Sequence, residues 1–313
     1  MRTRVALAIP TRNAGSIRGE VILSIQRQTR SPDEWIVVDS CSEDGTAHAF
    51  AAAGATVVSI DPSTYDHGGT RQAVCESSDA DVVVFMTQDA VLASPDSLGA
   101  LVAQFDDPAV AAAYGRQIPQ PSASAVERYA RLTNYPVQSS VHTLQDASKL
   151  GIRAAFCSNS FAGWRRSSLQ AVGGFPSPCI LGEDMLAAAR LLQAGYAVAY
   201  CADAAVVHSH DLTMHSEMRR YFDTGVMHAS NPWLLDTLGP PDSAGAAFVF
   251  SELRWLVNNG AVGSIPEAVA RSASKFLAYR LGRQWRHLPR SWCRSMTGNP
   301  AYWNLLERGN EVA

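Results

Sequence analysis

The chain reads as an α/β protein: a mostly parallel sheet with helices on both faces, followed by a helical C-terminal region. Three observations predict this. Short apolar runs alternate with helix-compatible segments over residues 5–86, the order that builds a parallel sheet. Each run stops at a polar turn or one marked by Gly or Pro, as a buried strand does at its end. After His215 strand-like runs cease and the pattern is helical, with breaks at Asn231-Pro232, Gly239-Pro240-Pro241 and Ser264-Ile265-Pro266.

The elements follow in order. Val5-Ala6-Leu7-Ala8-Ile9 is a buried strand closed by Pro10, and a helix over 17–28 follows. Trp35-Ile36-Val37-Val38 is a second strand, ended by Asp39-Ser40. The turn 41–45 leads to a helix over 46–53, then to a strand over 55–60. A polar loop, 61–69, carries Gly68-Gly69 and precedes a helix over 70–77 and a strand over 81–86. Beyond it, 110–117 and 160–164 read as strands and 165–172 as a helix stopped by Gly173-Gly174. Residues 118–150 are polar and helical only in part, with a flexible loop expected at 143–151. Residues 184–193 form a strongly amphipathic helix, and 197–201 and 204–208 are strand-like. The expected division is 1–215, carrying the sheet and its site, and 216–313, helical and basic.

Bulk properties narrow the class. With 313 residues, 47% hydrophobic and 18% charged, the chain can bury one large core or two smaller ones. No apolar run approaches the roughly 18 residues that a membrane span needs. Met1-Arg2-Thr3-Arg4 enters the first strand without a signal-peptide core, so a cytoplasmic protein is expected. The six cysteines (41, 75, 157, 179, 201, 293) are scattered with no Cys-x-x-Cys pair. Neither a zinc site nor a disulfide framework is expected, and reduced thiols fit the cytosol. The net charge of −3 is unevenly placed: from Arg271 onward eight bases face two acids, while the first 270 residues carry −9.

The polar groups fall at strand ends. Pro10-Thr11-Arg12-Asn13, Asp39-Ser40 with Asp44, and Gln88-Asp89 would all line the carboxyl edge of one parallel sheet, with Arg71 nearby. That edge is where open α/β sheets bind ligands. A lone carboxylate there suits a hard cation carrying a diphosphate, because Mg²⁺ takes one or two carboxylates and completes its shell with phosphate. An Asp can accept from a pyrimidine N3–H, and Arg71 can meet a carbonyl or phosphate oxygen. A second reading has Asp39, Asp44 and Asp89 as helix caps and Arg71 as a surface ion pair.

These residues resemble the family 2 glycosyltransferases, which have the GT-A fold. The likeness is carried by Ile9-Pro10-Thr11-Arg12-Asn13, Val38-Asp39-Ser40-x-Ser42-x-Asp44-Gly45-Thr46, Thr87-Gln88-Asp89, Gly182-Glu183-Asp184 and His208-Ser209-His210, spread over residues 3–215. The resemblance implies a nucleotide-sugar donor and transfer to an acceptor hydroxyl with inversion. Thr11 and Asp39 would contact the base, Arg71 the base or diphosphate, and Asp89 the metal, Mg²⁺ or Mn²⁺. Where the family often has Asp-x-Asp, Thr87 replaces the first Asp, so His208 or His210 is expected to supply a further ligand. The Thr-Gln-Asp-Ala form with His67-Gly68-Gly69-Thr70-Arg71 is similar to bacterial rhamnosyltransferases that use dTDP-L-rhamnose, and Tyr302-Trp303 with residues 275–283 fit that group too. Rival readings are a UDP-sugar donor, a nucleotide-sugar-binding protein without turnover, and, last, a nucleotidyltransferase, for which residues 11–15 lack a Lys and carry one Gly.

Glu183-Asp184 open an amphipathic helix, and a helix N-terminus favours an ionised carboxylate. By likeness to the family's acidic pair, Asp184 is the expected base, with Glu183 as positioning residue or second choice. Asn159 and Trp164 are acceptor candidates; Trp164 would stack on a sugar ring or else lie in the core. From Arg271 to Arg294 seven bases and no acids interleave with Phe276, Tyr279, Trp285 and Trp292. That composition suits peripheral contact with the inner face of a membrane, as for a lipid-linked saccharide acceptor, rather than nucleic acid.

Overall fold

The computed structural model describes residues 2–209, 212–239 and 242–311. Alternating elements open the chain: β1 (Val5–Thr11), α1 (Arg18–Gln26), β2 (Glu34–Asp39), α2 (Thr46–Ala52), β3 (Thr56–Ser59), α3 (His67–Ser77) and β4 (Val82–Met86). The middle carries β5 (Val91–Leu92), α4 (Ser97–Ala103), β6 (Val110–Ile118), α5 (Ala125–Asn134), β7 (Ser140–His142), α6 (Ala147–Leu150), β8 (Phe161–Arg165), α7 (Arg166–Ala171), α8 (Glu183–Gln193) and β9 (Ala197–Val207). Helices complete it: α9 (Met214–Ser230), α10 (Pro232–Leu238), α11 (Asp242–Asn258), α12 (Ile265–Arg283), α13 (Arg290–Met296) and α14 (Pro300–Glu311).

The sheet runs β3-β2-β1-β4-β8-β6-β9-β5, with β7 on the side of β9. β1 pairs parallel with β2 and β4, β2 with β3, and β6 with β9. β8 is inserted antiparallel between β4 and β6. Alternate residues of each strand enter opposite cores. Val5, Leu7 and Ile9 pack with Phe50 and Leu98 on the face of α1, α2 and α4. Ala6, Ala8, Val83 and Phe85 pack with Leu186 and Leu191 on the face of α8. The C-terminal helices belong to that second core: Phe222, Val226, Leu234, Cys293 and Trp303 are buried in it.

Several segments differ from the sequence reading. The short β5 and α4 went unread, and α3 starts at His67 rather than at 70, because Asp66 caps it by accepting from the Gly69 N–H at 2.8 Å. The loop expected to be flexible at 143–151 is tied down: Asp146 Oδ2 accepts from the Thr143 N–H and hydroxyl, and α6 follows. β9 is one long strand, bent where its register with β6 shifts near Gly115.

Candidate active site

Parallel pairing sets Thr11 beside Asp39. Thr11 Oγ1 donates to Asp39 Oδ1 at 3.0 Å, and Asp39 also accepts from the Ser42 hydroxyl (2.6 Å) and N–H (2.8 Å). Ser42 Oγ accepts from the Asn13 N–H, and Asn13 Oδ1 accepts from the Glu43 N–H. Asn13 adopts a left-handed φ of 50°, which its short polar side chain tolerates by such local bonds. Gln88 clamps the same loop: its Oε1 accepts from the Arg12 N–H at 2.7 Å and its Nε2 donates to the Arg12 carbonyl at 3.1 Å. The Ser40 N–H donates to the Thr11 carbonyl. Thr11, Asp39 and Ser40 are therefore buried in a braced floor, while Pro10 is half-buried and Arg12 and Asn13 are exposed at its rim.

Asp44, expected against the donor, is a turn brace. Its oxygens accept from the Thr46 hydroxyl (2.6 Å), the Thr46 N–H and the Gly15 N–H, and Arg18 stands 3.7 Å away. The Thr46 hydroxyl first, then the Gly15 amide, hold its carboxyl down at about 2.

The second feature is Asp89 beside His208. β5 and β9 are antiparallel, with Val91 opposite Val207, so the residues just outside that ladder meet: Asp89 Oδ1 lies 3.4 Å from His208 Nε2. His210 lies outside the described residues. Gln117 on β6 settles which ring nitrogen faces Asp89. Its Oε1 is contacted by an Arg131 guanidinium N–H, which can only donate, and by His208 Nδ1 at 3.0 Å; its Nε2 donates to Ser158 Oγ. Nδ1 of His208 must then carry a proton, and Nε2 is the ring nitrogen that faces Asp89. Thr87, at the missing-carboxylate position, has a buried hydroxyl with no hydrogen-bond partner among the described residues. No group of three His, Cys, Asp or Glu able to hold a metal occurs among the described residues. A carboxylate oxygen and an imidazole nitrogen at this spacing fit a divalent ion that takes its remaining ligands from a diphosphate.

The third feature is the acidic pair opening α8. Glu183 is buried and Asp184 is half-buried. Glu183 Oε1 pairs with Arg71 Nη1 at 3.0 Å and accepts from Asn159 Nδ2 at 3.0 Å. Burial alone would raise the Glu183 carboxyl; Arg71, then His67 and the Asn159 amide, outweigh it and hold it below its ordinary value. Asp184 accepts from the Asn159 N–H (3.0 Å) and from its neighbour Met185 N–H (2.8 Å). Burial and then the negative charge of Glu183 push Asp184 up to about 7. A reachable carboxylate titrating near neutrality is suited to taking a proton; a buried one locked to a guanidinium is suited to holding position.

Two further side chains offered by the sequence as ligand contacts are buried: Arg71 and Trp164. Arg71 is the first. Its side chain is buried, bonded to Glu183 and the His67 carbonyl, with its guanidinium over Phe85. Trp164 is not a sugar-stacking surface: it is fully buried, edge-on to Phe175, and its indole N–H donates to Asn159 Oδ1 at 2.8 Å. Asn159 is buried as well, and joins Trp164 to both acids. Sequence reading missed Gln117 and Arg131, which carry no motif, and the Asp66 lock. Asp66 Oδ1 accepts from the Cys179 N–H, fastening the loop before α8 to α3. Gly68 allows that contact, since a Cβ there would fall inside the Pro176 carbonyl oxygen.

The model of glycosyl transferase family 2 matches residues 6–173. The chain is 45% identical, over 97% of both lengths, to the O-antigen chain rhamnosyltransferase RfbN of Salmonella typhimurium. It is 43% identical, over 96% of both, to the O-antigen chain rhamnosyltransferase WbaN of Salmonella anatum. Among solved structures it resembles the mannosyltransferase PcManGT from Pyrobaculum calidifontis in complex with GDP-Man and Mn²⁺. That match has a TM-score of 0.59 and 21% identity, covering 97% of this chain and 87% of that one, a likeness of fold.

Proposed function

Because this chain belongs to glycosyl transferase family 2 and is a glycosyltransferase, we propose that it moves L-rhamnose from dTDP-L-rhamnose, with inversion, to a saccharide acceptor in O-antigen assembly. The observation that carries the chemistry is the half-buried Asp184 beside the buried, Arg71-bound Glu183. The rhamnosyl specificity is supported by two relatives of that name matched over nearly their full length.

In this reading the braced floor of Thr11, Asp39 and Ser40 receives the base, with Pro10, Arg12, Asn13 and Gln88 shaping its rim. Asp89 and His208 would hold Mg²⁺ or Mn²⁺, a role supported by their spacing and by the tautomer that Gln117 imposes. A divalent ion bound there supplies positive charge to the departing diphosphate. Asp184 takes the proton of the acceptor hydroxyl as that oxygen attacks the sugar from the face opposite the diphosphate. Glu183 keeps Asp184 basic by its charge, and Asn159 fixes both carboxylates. Arg71 keeps Glu183 ionised, so it acts on the base rather than on the donor. The acceptor is lipid-linked, reached by a cytoplasmic protein at the inner face of the membrane.

Calorimetric titration of dTDP-L-rhamnose, UDP-glucose and UDP-GlcNAc, each with Mn²⁺ and then with EDTA, tests the donor. Tight, metal-dependent binding of dTDP-L-rhamnose alone is expected. Preference for a UDP sugar would keep the reaction class and overturn the donor.

A further inference from the structure

We infer that the outer face of α12, with the turn after it, is a docking surface for an anionic lipid bilayer. α12 buries Ala268 in a small cluster with Leu256 of α11, and Ala278 and Gly282 on the side that meets α9. The two backbones touch at Gly225 and Gly282, where a Cβ on either would collide with the other helix. Packing that close leaves no freedom for α12 to turn its other side inward.

That other side is apolar and exposed. Val269 (47%), Phe276 (62%), Leu277 (60%) and Leu281 (40%) recur at helical spacing with Arg280 among them. Trp292 on α13 is 60% exposed. Single exposed hydrophobics need no explanation, but a run of large ones along one helix face marks an interaction site.

Charge selects the partner. The flanking bases are satisfied: Arg271 pairs with Glu217 and Glu267, Lys275 with Glu217, and Arg294 with Glu307. Among the described residues, Arg280, Arg283, Arg286 and Arg290 meet no carboxylate. Arg283 reaches Tyr279 and Arg286 a carbonyl, while Arg290 lies over Trp285 and Trp303. Protruding apolar side chains set among unneutralised arginines match an interface of acyl chains beneath anionic headgroups. A nucleic acid would use the arginines and leave Phe276 and Leu277 in water. No helix among the described residues is long and apolar enough to cross a membrane, so the contact is a surface one.

The face is also wired to the catalytic loop. Asp223 on α9 accepts from the Thr297 hydroxyl and the Gly298 N–H, and the neighbouring Asn299 donates to the Ile180 carbonyl, three residues before Glu183. A bilayer held by α12 would thus be held by a rigid arm of the site. The inference rests on the lipid-linked acceptor only for its purpose, and its test uses neither donor nor acceptor, so the two fail separately.

The test is co-sedimentation with vesicles of phosphatidylcholine alone and of phosphatidylcholine with phosphatidylglycerol. Full-length protein is compared with the pairs Phe276→Ser/Leu277→Ser and Arg280→Gln/Arg283→Gln, whose exposed positions leave the fold intact. Wild type should bind the anionic vesicles and bind the neutral ones at least tenfold more weakly. The arginine pair should lose roughly fivefold for each charge removed, and the serine pair should lose binding to both vesicle types. The far-ultraviolet circular dichroism and melting temperature should be unchanged in both pairs. Equal binding by all three proteins, or none by wild type, would overturn the assignment. So would a wild-type dimer in light scattering that the serine pair converts to monomer, or release of wild type from vesicles by a duplex oligonucleotide that the serine pair binds equally well.

Discussion

At the residue scale, the site separates two adjacent carboxylates by environment. Glu183 is ionised by Arg71, and its charge then adds to burial in raising Asp184. Asp184→Asn should lower kcat by about a hundredfold to ten-thousandfold with donor affinity unchanged; full turnover in that variant would remove Asp184 as base. The pH profile follows from the same shift. The wild-type rate should climb through about pH 7 as Asp184 ionises, and Glu183→Gln should move that limb to lower pH by removing a neighbouring negative charge. Stability runs the other way. A carboxyl whose folded value is raised contributes stability that is full below its unfolded value and lost as pH rises through about 7. Thermal melts should therefore show Asp184→Asn more stable than wild type in alkaline buffer and equal to it in acid. Gln117 offers a separate check: Gln117→Leu should weaken Mn²⁺ binding about 10- to 100-fold in the presence of dTDP, read by electron paramagnetic resonance, because His208 loses the bond that fixes its tautomer.

At the element scale, the proposed base, Asp184, is aimed by contacts outside its own helix. α8 starts where a loop is pinned to α3 through Asp66 and Cys179, and Gly68 is the gap that admits the loop backbone. Gly68→Ala must push that loop away. It should cost about 1–3 kcal/mol in urea unfolding and lower kcat more than it raises the donor KM, since the donor floor is on β1 and β2. Gly68-Gly69 was visible in the sequence as part of a loop, but what it approaches was not. The Gly-rich approach of α9 to α12 was equally illegible: Gly225 and Gly282 are 57 positions apart and carry no local pattern.

At the scale of the molecule, one buried cluster spans the sheet, α8 and the C-terminal helices, with Phe222, Val226 and Trp303 among Phe85, Leu186 and Leu191. On the proposed function and the proposed docking surface, the division at residue 215 is one of role: catalysis before it, membrane contact after it. Residues 1–215 expressed alone should bind a hydrophobic dye and lack a cooperative melt, since removing 216–313 bares that cluster. A fragment melting as sharply as the full chain would mean that the C-terminal helices add little to this core.

The sequence by itself determined the alternation of strands and helices, because strand periodicity is a local property; Asp89 is a candidate from its strand end, and Asp184 and His208 are candidates from the likeness to family 2. It could not say which way buried polar side chains turn. Arg71 and Trp164 look like ligand contacts in a list of polar and aromatic residues near strand ends. Only the packed structure turns the first onto Glu183 and seals the second beneath Asn159. Asp44 reads as a donor contact or a helix cap, and that Gly15, 29 residues away, comes back to share it is not visible in the sequence. Partner choice for a buried charge depends on what the fold brings within about 3 Å, and that distance is fixed by tertiary contacts between elements far apart in the chain.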